Sequence, residues 1–342
     1  MSDPDPLLEP VLAGNRRALA RAITLVESTR VDHRARATAL LEALRGKGRQ
    51  GLRIGLSGTP GVGKSTFIES FGMLLTGMGL RVAVLAVDPS STRSGGSILG
   101  DKTRMERLSR DPNAFIRPSP SLSHLGGVSR RSREAVALCE AAGFDVVLIE
   151  TVGVGQSETM VAEMCDLFVL LIAPAGGDEL QGVKRGIMEI ADLILVNKAD
   201  GDLKPAATRT VADYAGALRL LRKRVQDPAG FPKALSVSAL AEEGLVQSWD
   251  EMQTLADWRK AHGHWERRRA AQAGHWFAEE VRSGLLAQLT DDPVARSAMA
   301  DLGARVSAGT MSPDAAAAKM LAQLRQSPLS AGESLDSPQS AQ

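Results

Sequence analysis

The chain has 342 residues, of which 44% are hydrophobic and 4% aromatic, and its formal net charge is +1. This length allows one complete α/β domain with helical additions, and the apolar content is enough for a substantial core. The near-neutral charge and the few aromatic rings argue against nucleic acid as a ligand. The chain has no apolar run long enough to span a membrane, and its acidic start does not resemble a signal peptide. We therefore expect a cytoplasmic protein that binds neither nucleic acid nor membrane.

Cysteine and histidine do not form a metal-binding pattern in this sequence. Cys139 and Cys165 lie in apolar stretches and lack C-x-x-C spacing, which favours reduced thiols in the core. His262, His264 and His275 have no neighbouring cysteine or aspartate, so we interpret them as solvated side chains.

The first 50 residues are predicted to form a helical extension. Apolar residues recur at helical spacing between residue 7 and about residue 46, which predicts two helices. Gly46, Gly48 and Gly51 then interrupt the pattern and lead into the next domain.

Residues 51–245 alternate short β-rich runs with helical ones, the pattern of a parallel sheet covered on both faces. The predicted strands are 52–57, 81–87, 145–150, 167–173, 192–197 and 234–237. Such sheets bind ligands beyond the carboxyl ends of their strands, and most of the chemically suggestive residues fall at those ends.

A phosphate-binding loop follows the first predicted strand, because residues 58–66 fit the pattern G-x-x-x-x-G-K-[ST]. Backbone N–H groups of such a loop curl around phosphate oxygens, Lys64 supplies positive charge to the outer phosphates, and the Ser65 hydroxyl is a Mg²⁺ ligand. The candidate residues are Gly58, Thr59, Pro60, Gly61, Val62, Gly63, Lys64, Ser65 and Thr66. The expected fold is an α/β P-loop NTPase, with a mostly parallel central sheet flanked by helices and with helical N- and C-terminal extensions.

Two carboxylates near the second predicted strand are candidates for Mg²⁺ binding. Asp88 stands at the strand end, and Asp101 closes the glycine-rich segment that follows. Helix capping is the alternative role for each of them, and an Asx turn before Pro89 is a further one for Asp88. The glycines of this segment are typical of a loop that orders around a γ-phosphate.

The third predicted strand ends at Glu150, in the place where GTPases usually carry the aspartate of D-x-x-G. A glutamate can still hold a Mg²⁺-bound water, and Gly153 would give its N–H to the γ-phosphate. Val154 occupies the position at which small GTPases place a glutamine that orients the attacking water. We therefore expect slow hydrolysis, unless Gln156, Glu150, Asp101 or a partner's residue takes over that task.

A guanine-recognition motif, N-K-x-D, follows the apolar strand predicted over 192–197. Asp200 can accept hydrogen bonds from guanine N1–H and from the N2 amine, whereas adenine would leave this carboxylate unpaired. Lys198 would lie along the base, and Asn197 would brace the surrounding loops. Three further candidates, whose backbone N–H groups could reach guanine O6, are Ser238, Ala239 and Leu240.

Residues 173–186 contain four glycines among charged residues, which indicates a third mobile element near the nucleotide. Lys184 or Arg185 could contact the phosphates, or the nucleotide's edge across a dimer. The alternative is a helix N-terminus with solvated charges.

Residues 246–326 are predicted to be helical, and the polar tail 327–342 to be disordered. The helical part contains Trp249, Trp258, Trp265 and Trp276. These tryptophans fit either a dimer interface or an internal core. The arginines at 267–269, and those at 130, 131 and 133, are interpreted as solvated helix faces.

The motifs between about residue 52 and residue 201 closely resemble the MeaB/ArgK-type GTPases, the bacterial relatives of the human methylmalonic aciduria type A protein. They include VDPSSTRSGGSILGDKTRM, LCEAAGFDVVLIETVGVGQSE, GDELQGVKRG and NKAD. The resemblance implies a chaperone G protein that binds GTP or GDP with Mg²⁺. It places Asp88, Asp101 and Glu150 in the Mg²⁺ and switch region, and Lys184 in a third switch.

The partner implied by the resemblance is an adenosylcobalamin-dependent acyl-CoA mutase, typically methylmalonyl-CoA mutase. The GTPase would gate the loading of cobalamin, which the mutase binds, and protect the mutase from inactivation. A cobalamin adenosyltransferase is a second candidate partner, and a homodimer joined through C-terminal helices is implied. Two other interpretations remain open: a metallochaperone GTPase for another metalloenzyme, which shares the fold, and a small-molecule kinase.

Overall fold

The structure is a computed structural model that describes residues 4–87, 105–118, 125–151, 157–174, 185–221 and 223–326. Within these ranges the strands are β1 Leu52–Ser57, β2 Val82–Val87, β3 Ala114–Arg117, β4 Val146–Thr151, β5 Leu167–Ile172, β6 Leu193–Val196 and β7 Lys233–Ser236. They form one sheet in the order β3-β2-β4-β1-β5-β6-β7, and every neighbouring pair is parallel. The carboxyl ends of all seven strands therefore meet at one edge.

The described residues also form thirteen α-helices and a 3₁₀ turn at Gly201–Leu203. The helices are α1 Leu8–Leu12, α2 Arg16–Glu27, α3 Val31–Leu44, α4 Lys64–Gly77, α5 Glu106–Arg110, α6 Leu125–Ala141, α7 Ser157–Ala162, α8 Arg185–Ile190, α9 Lys204–Arg219, α10 Leu245–Ala261, α11 His264–Asp291, α12 Pro293–Ser307 and α13 Pro313–Gln326. In this part of the chain, none of the helices combines the length and apolar character that crossing a bilayer requires.

The predicted α/β class is confirmed, and each of the six predicted strands is present within one residue at either end. The seventh strand, β3, was not predicted. It has only four residues, it stands at the sheet edge, and two of its residues are half-buried. A strand this short and this exposed shows neither a clear alternation nor a continuous apolar run.

Strands β4 and β5 are buried at every position because helices cover both faces of the central sheet. Helix α4 packs Phe67 and Phe71 into this core, with ring centroids 5.2 Å apart. Trp249 of α10 meets Phe71 edge to face at 6.1 Å, and Trp265 is also a core residue. For these two tryptophans the internal-core alternative is therefore correct.

The N-terminal extension contains three helices instead of the predicted two. Helix α1 ends before Gly14, which has a φ of +72°. The Asn15 side chain then caps α2 by accepting from the N–H groups of Arg17 and Ala18. Helices α2 and α3 pack against α6, which in turn packs against β2 and β4.

Three arginines of α10 and α11 bind carboxylates or backbone carbonyl oxygens in the segments that precede β5, β6 and β7. Arg259 is 2% exposed and pairs with Asp192 at 2.6 Å and Asp227 at 2.7 Å. Arg268 donates to two backbone carbonyl oxygens at 3.0 Å, those of Cys165 and Ala162. Arg269 forms two hydrogen bonds to the carboxylate of Asp166 and lies over the Trp265 ring at 4.5 Å. The prediction of a solvated face is therefore wrong for Arg268 and Arg269, and also for Arg131, which is 7% exposed.

The contacts divide the chain into two compact units, residues 1–274 and 275–342. The domain boundary predicted after residue 245 thus lies inside the first unit, which contains α10 and the beginning of α11. In the second unit, α12 and α13 pack together around a small core of Ala295, Leu302, Ala316 and Met320.

Candidate nucleotide-binding site

The predicted phosphate loop connects the end of β1 to the start of α4. A Cβ atom on Gly58, where φ is +155°, would stand 2.3 Å from the backbone oxygen of Leu171. At Gly63, φ is +89°, and a Cβ would stand 2.8 Å from the Asn197 side-chain nitrogen. Only glycine fits these two positions without displacing neighbours. The loop leads into the N-terminus of α4, a position that favours anions.

Lys64 begins α4 and curls back over the loop. Its ammonium group donates to the carbonyl oxygen of Gly58 at 2.5 Å and reaches that of Thr59 at 3.5 Å. Burial lowers the pKa of Lys64, and the nearby carboxylates of Glu150 and Glu158 counteract that shift. The lysine is therefore beside the loop and beside the carboxyl end of β4.

The sheet register brings Glu150 to the phosphate loop. Glu150 of β4 pairs with Leu56 of β1, and it is 4% exposed. Its neighbour Thr151 pairs with Val87 of β2 and donates a hydrogen bond to the Ser57 hydroxyl at 3.3 Å. The ends of β1, β2 and β4 therefore meet where the sequence predicted a Mg²⁺ and switch region.

The described residues offer a small set of oxygen ligands for Mg²⁺. Ser65 lies half-buried in the first turn of α4, and Glu150 supplies a carboxylate at the same edge. Within the described ranges, no three His, Cys, Asp or Glu side chains form a metal-binding group. A hydroxyl and one carboxylate nevertheless suit Mg²⁺, which usually keeps several waters and shares the phosphates of its nucleotide. The other predicted residues lie outside the described ranges: Asp88, Asp101, Gly153, Gln156 and Lys184.

Asn197 joins the phosphate loop to the loop that follows β7. Its side-chain nitrogen donates to the backbone oxygen of Val62 at 2.8 Å. Its side-chain oxygen accepts from the backbone N–H of Ala239 at 3.0 Å. Asn197 is 1% exposed, so both hydrogen bonds are shielded from water. This side chain therefore links the end that would hold phosphate to the end that would hold the base.

The carboxylate of Asp200 is oriented by a second residue of the site. The Ser238 hydroxyl donates to Asp200 Oδ2, and the same hydroxyl oxygen accepts from the N–H of Ala241 at 3.0 Å. Lys198 has a φ of +59°, a left-handed conformation that is uncommon outside glycine and asparagine. The N-K-x-D segment therefore turns sharply at the end of β6.

Two of the three backbone N–H groups predicted to reach guanine O6 already donate hydrogen bonds within the protein. The N–H of Ser238 already donates to Glu243 O at 3.0 Å, and that of Ala239 donates to Asn197. Within the described ranges, no acceptor is recorded for the N–H of Leu240, which is 81% exposed. The N–H of Ala239 would have to be shared between guanine and Asn197.

The structure adds Ser70 to the site, which the sequence analysis missed. This buried residue of α4 donates from its hydroxyl to the backbone oxygen of Ala239 at 2.7 Å. It therefore joins the loop that follows β7 to α4, the helix that begins with Lys64. A serine among the apolar residues Phe67, Ile68 and Phe71 was the one available signal.

Known proteins that are similar to this chain identify its family. A family model described as methylmalonyl-CoA mutase-associated GTPase MeaB matches residues 19–294. A Mus musculus protein named methylmalonic aciduria type A homolog, mitochondrial, is 48% identical over 327 residues, which cover 93% of this chain and 78% of that one. The GTPase ArgK of Escherichia coli is 49% identical over 276 residues, which cover 81% of this chain and 83% of its own. The crystal structure of an LAO/AO transport system kinase matches with a TM-score of 0.74 and 37% identity, covering 95% of this chain and 99% of that one. This chain therefore has the P-loop NTPase fold and belongs to the MeaB family of GTPases.

Proposed function

We propose that this protein is a GTP-hydrolysing chaperone for an adenosylcobalamin-dependent acyl-CoA mutase, with methylmalonyl-CoA mutase as the first candidate. The observation that carries the proposal is the match of residues 19–294 to a family described as mutase-associated GTPases. In this function the protein gates cofactor loading and protects the mutase, which itself binds the cobalamin. We further propose a cytoplasmic homodimer joined through C-terminal helices, with a cobalamin adenosyltransferase as a second partner.

The described site supports guanine as the base. The Ser238 hydroxyl holds one oxygen of Asp200, and the carboxylate retains acceptor capacity for two guanine donors. Adenine offers an acceptor at N1 and no amine at C2, so it would leave the carboxylate unpaired, at a cost of about 1–3 kcal/mol or more. This geometry supports the proposed preference for GTP over ATP.

The residues around the phosphate loop fit an enzyme that hydrolyses GTP slowly. Lys64 and the loop N–H groups would stabilise negative charge on the outer phosphates. Ser65 and Glu150 would hold Mg²⁺, which when bound supplies further positive charge to the phosphates. Val154 stands where a water-orienting glutamine would be expected, so we propose that a partner accelerates the reaction.

The test of the proposal is the steady-state GTPase rate with and without purified adenosylcobalamin-dependent methylmalonyl-CoA mutase. We expect the mutase to raise the rate about tenfold or more, because a partner can complete or order a catalytic site. An unchanged rate across saturating mutase concentrations would refute the proposal.

The variant Asp200→Asn tests the guanine-binding site separately from the effect of the mutase. The amide oxygen of asparagine can still accept from N1–H, but its amide nitrogen faces the N2 amine of guanine with a second donor, whereas it can donate to the C2 oxygen of xanthine. We expect GTP affinity to fall about a hundredfold and xanthosine triphosphate to restore both binding and stimulation by the mutase. If the variant kept its GTP affinity, the assignment of the base site would be wrong, independently of the result with the mutase.

A further inference from the structure

Ala239 belongs to the turn that follows β7, and both of its backbone polar groups are bound by side chains from other elements. Its N–H donates to Asn197 Oδ1 at 3.0 Å, and its carbonyl oxygen accepts from the Ser70 hydroxyl at 2.7 Å. Ala239 is 2% exposed and Ser70 is 7% exposed, so water does not compete for either hydrogen bond. The backbone of Ala239 is therefore held from two sides.

The hydrogen bond from Ser70 also fixes the direction of the next N–H along the chain. The carbonyl group of Ala239 and the N–H of Leu240 belong to the same peptide unit, which is planar. This unit is trans, so its N–H points away from its carbonyl oxygen. Because the oxygen points to α4 and the core, the N–H of Leu240 points to the opposite side of the turn.

The opposite side of this turn is where the base would lie. Leu240 is 81% exposed, and within the described ranges no acceptor is recorded for its N–H. The carboxylate of Asp200 reaches the same turn, because it accepts from the Ser238 hydroxyl. In guanine, O6 is bonded to the ring carbon next to N1, so a donor for O6 must lie near the acceptor for N1–H. The N–H of Leu240 meets that requirement.

We propose that Ser70 is a positioning residue for base recognition, a role that rests on the proposed use of guanine nucleotides. By holding the carbonyl oxygen of Ala239, Ser70 directs the N–H of Leu240 at guanine O6. The N–H of Ala239 is occupied by Asn197, which leaves that of Leu240 as the donor. Adenine carries an amine in place of O6, so two donors would face each other there.

Loss of the Ser70 hydroxyl would leave the carbonyl oxygen of Ala239 buried without a donor. Because a buried, unsatisfied carbonyl is unfavourable, the peptide unit would rotate to bring its oxygen to water. The same rotation turns the N–H of Leu240 away from O6. Asp200 is held by Ser238, so its contacts with N1–H and the N2 amine would remain.

The test compares the affinities of the full chain for three diphosphates in the presence of Mg²⁺, measured by competition with a fluorescent GDP. In 6-thioguanosine diphosphate, sulfur replaces O6 and is a weaker acceptor, whereas N1–H and the N2 amine are kept. Inosine diphosphate keeps O6 and lacks the N2 amine. We expect the wild type to bind GDP about fivefold to tenfold more tightly than the thio analogue, which is the effect of one hydrogen bond.

Ser70→Ala should bind GDP about fivefold to tenfold more weakly than the wild type, and it should bind the thio analogue as tightly as GDP. Its preference for GDP over inosine diphosphate should stay that of the wild type. A merely structural role would instead weaken all three nucleotides by the same factor. Thr76→Val is the matched control, since this buried hydroxyl of α4 donates to Met73 O within its own helix at 3.2 Å. It should leave all three affinities unchanged.

A second measurement follows the N–H of Leu240 directly, by NMR of wild-type protein labelled with ¹⁵N-leucine. Leu240→Met removes this signal and thereby identifies it. Both GDP and inosine diphosphate should move the proton resonance downfield, and the thio analogue should move it less.

Three results would overturn the role of Ser70 and leave the guanine site in place. They are equal weakening of all three nucleotides in Ser70→Ala, equal wild-type affinity for GDP and the thio analogue, and a Leu240 signal that GDP does not move. Equal wild-type affinity for GDP and ADP would instead refute the guanine site itself, and the role of Ser70 with it.

Discussion

Replacing Asn197 by alanine tests whether one side chain couples the two ends of the nucleotide site. The change removes the hydrogen bonds to Val62 O and from the N–H of Ala239, at 2.8 and 3.0 Å. Both partners then lose these hydrogen bonds in a region that is shielded from water, because Asn197 is only 1% exposed. Each of the two buried groups left unsatisfied costs about 1–3 kcal/mol, so the sum is about 2–6 kcal/mol.

We expect most of this loss to appear in nucleotide affinity, because the two loops can relax when no nucleotide is bound. A loss of 2–4 kcal/mol corresponds to a decrease in GDP affinity of about 30-fold to 1,000-fold. Fluorescence titration with a labelled guanine nucleotide measures this decrease, and urea denaturation of the nucleotide-free protein measures the remaining cost in stability. Thr254→Ala is the control, since its hydroxyl is exposed and donates within its own helix.

A GDP affinity of Asn197→Ala within threefold of the wild type would contradict this prediction. A loss that appears entirely in the unfolding free energy of the nucleotide-free protein would contradict it as well. In either case the asparagine would be a packing residue, and some other contact would have to set the distance between the phosphate and base ends. Ser70→Ala, which removes the hydroxyl bonded to Ala239 O, would then be the next candidate to measure.

Three further predictions concern the backbone, the buried charges and a thiol. Gly63→Ala should lower GDP affinity far more than Gly61→Ala, because both have positive φ but only at Gly63 would the added Cβ meet a neighbour, at 2.8 Å; the same fluorescence titration compares them. Arg259→Met should lower the unfolding free energy by about 3–5 kcal/mol in urea denaturation. Burial alone would raise the pKa of Asp192, but Arg259 holds that pKa below its ordinary value, so this stability is present above the unfolded pKa and lost as the pH falls through the folded one. Acid unfolding of Arg259→Met should therefore begin at a higher pH than that of the wild type. Burial raises the pKa of the Cys165 thiol to about 12, so thiol reagents should label this residue only after denaturation.

The buried pairs of α10 and α11 explain why tryptophans from the predicted helical region belong to the core of the first unit. Arg259 and Arg269 contact aspartates that directly precede β6 and β5, namely Asp192 and Asp166. These contacts hold α10 and the first turns of α11 at the amino-terminal ends of these two strands. Composition alone classed Arg269 as a surface residue, because a long cationic side chain is usually solvated and its partners are distant in the chain.

The sequence by itself determined those features that are encoded in contiguous residues. The phosphate loop, the N-K-x-D segment and six of the seven strands in the described residues can be recognised because their signals lie within a few neighbouring positions. Apolar runs of four to seven residues between helical stretches are enough to predict buried parallel strands.

The tertiary structure decided which distant groups meet. Asn197 bridges to Val62 and Ala239, which are 135 and 42 positions away in the chain. Strand order decided that Glu150 stands beside the phosphate loop, and packing of the N-terminal helices against α6 decided that Arg131 is largely removed from solvent. The physical reason is that hydrogen bonds and ion pairs depend on distances across the fold, and a local pattern carries no information about those distances.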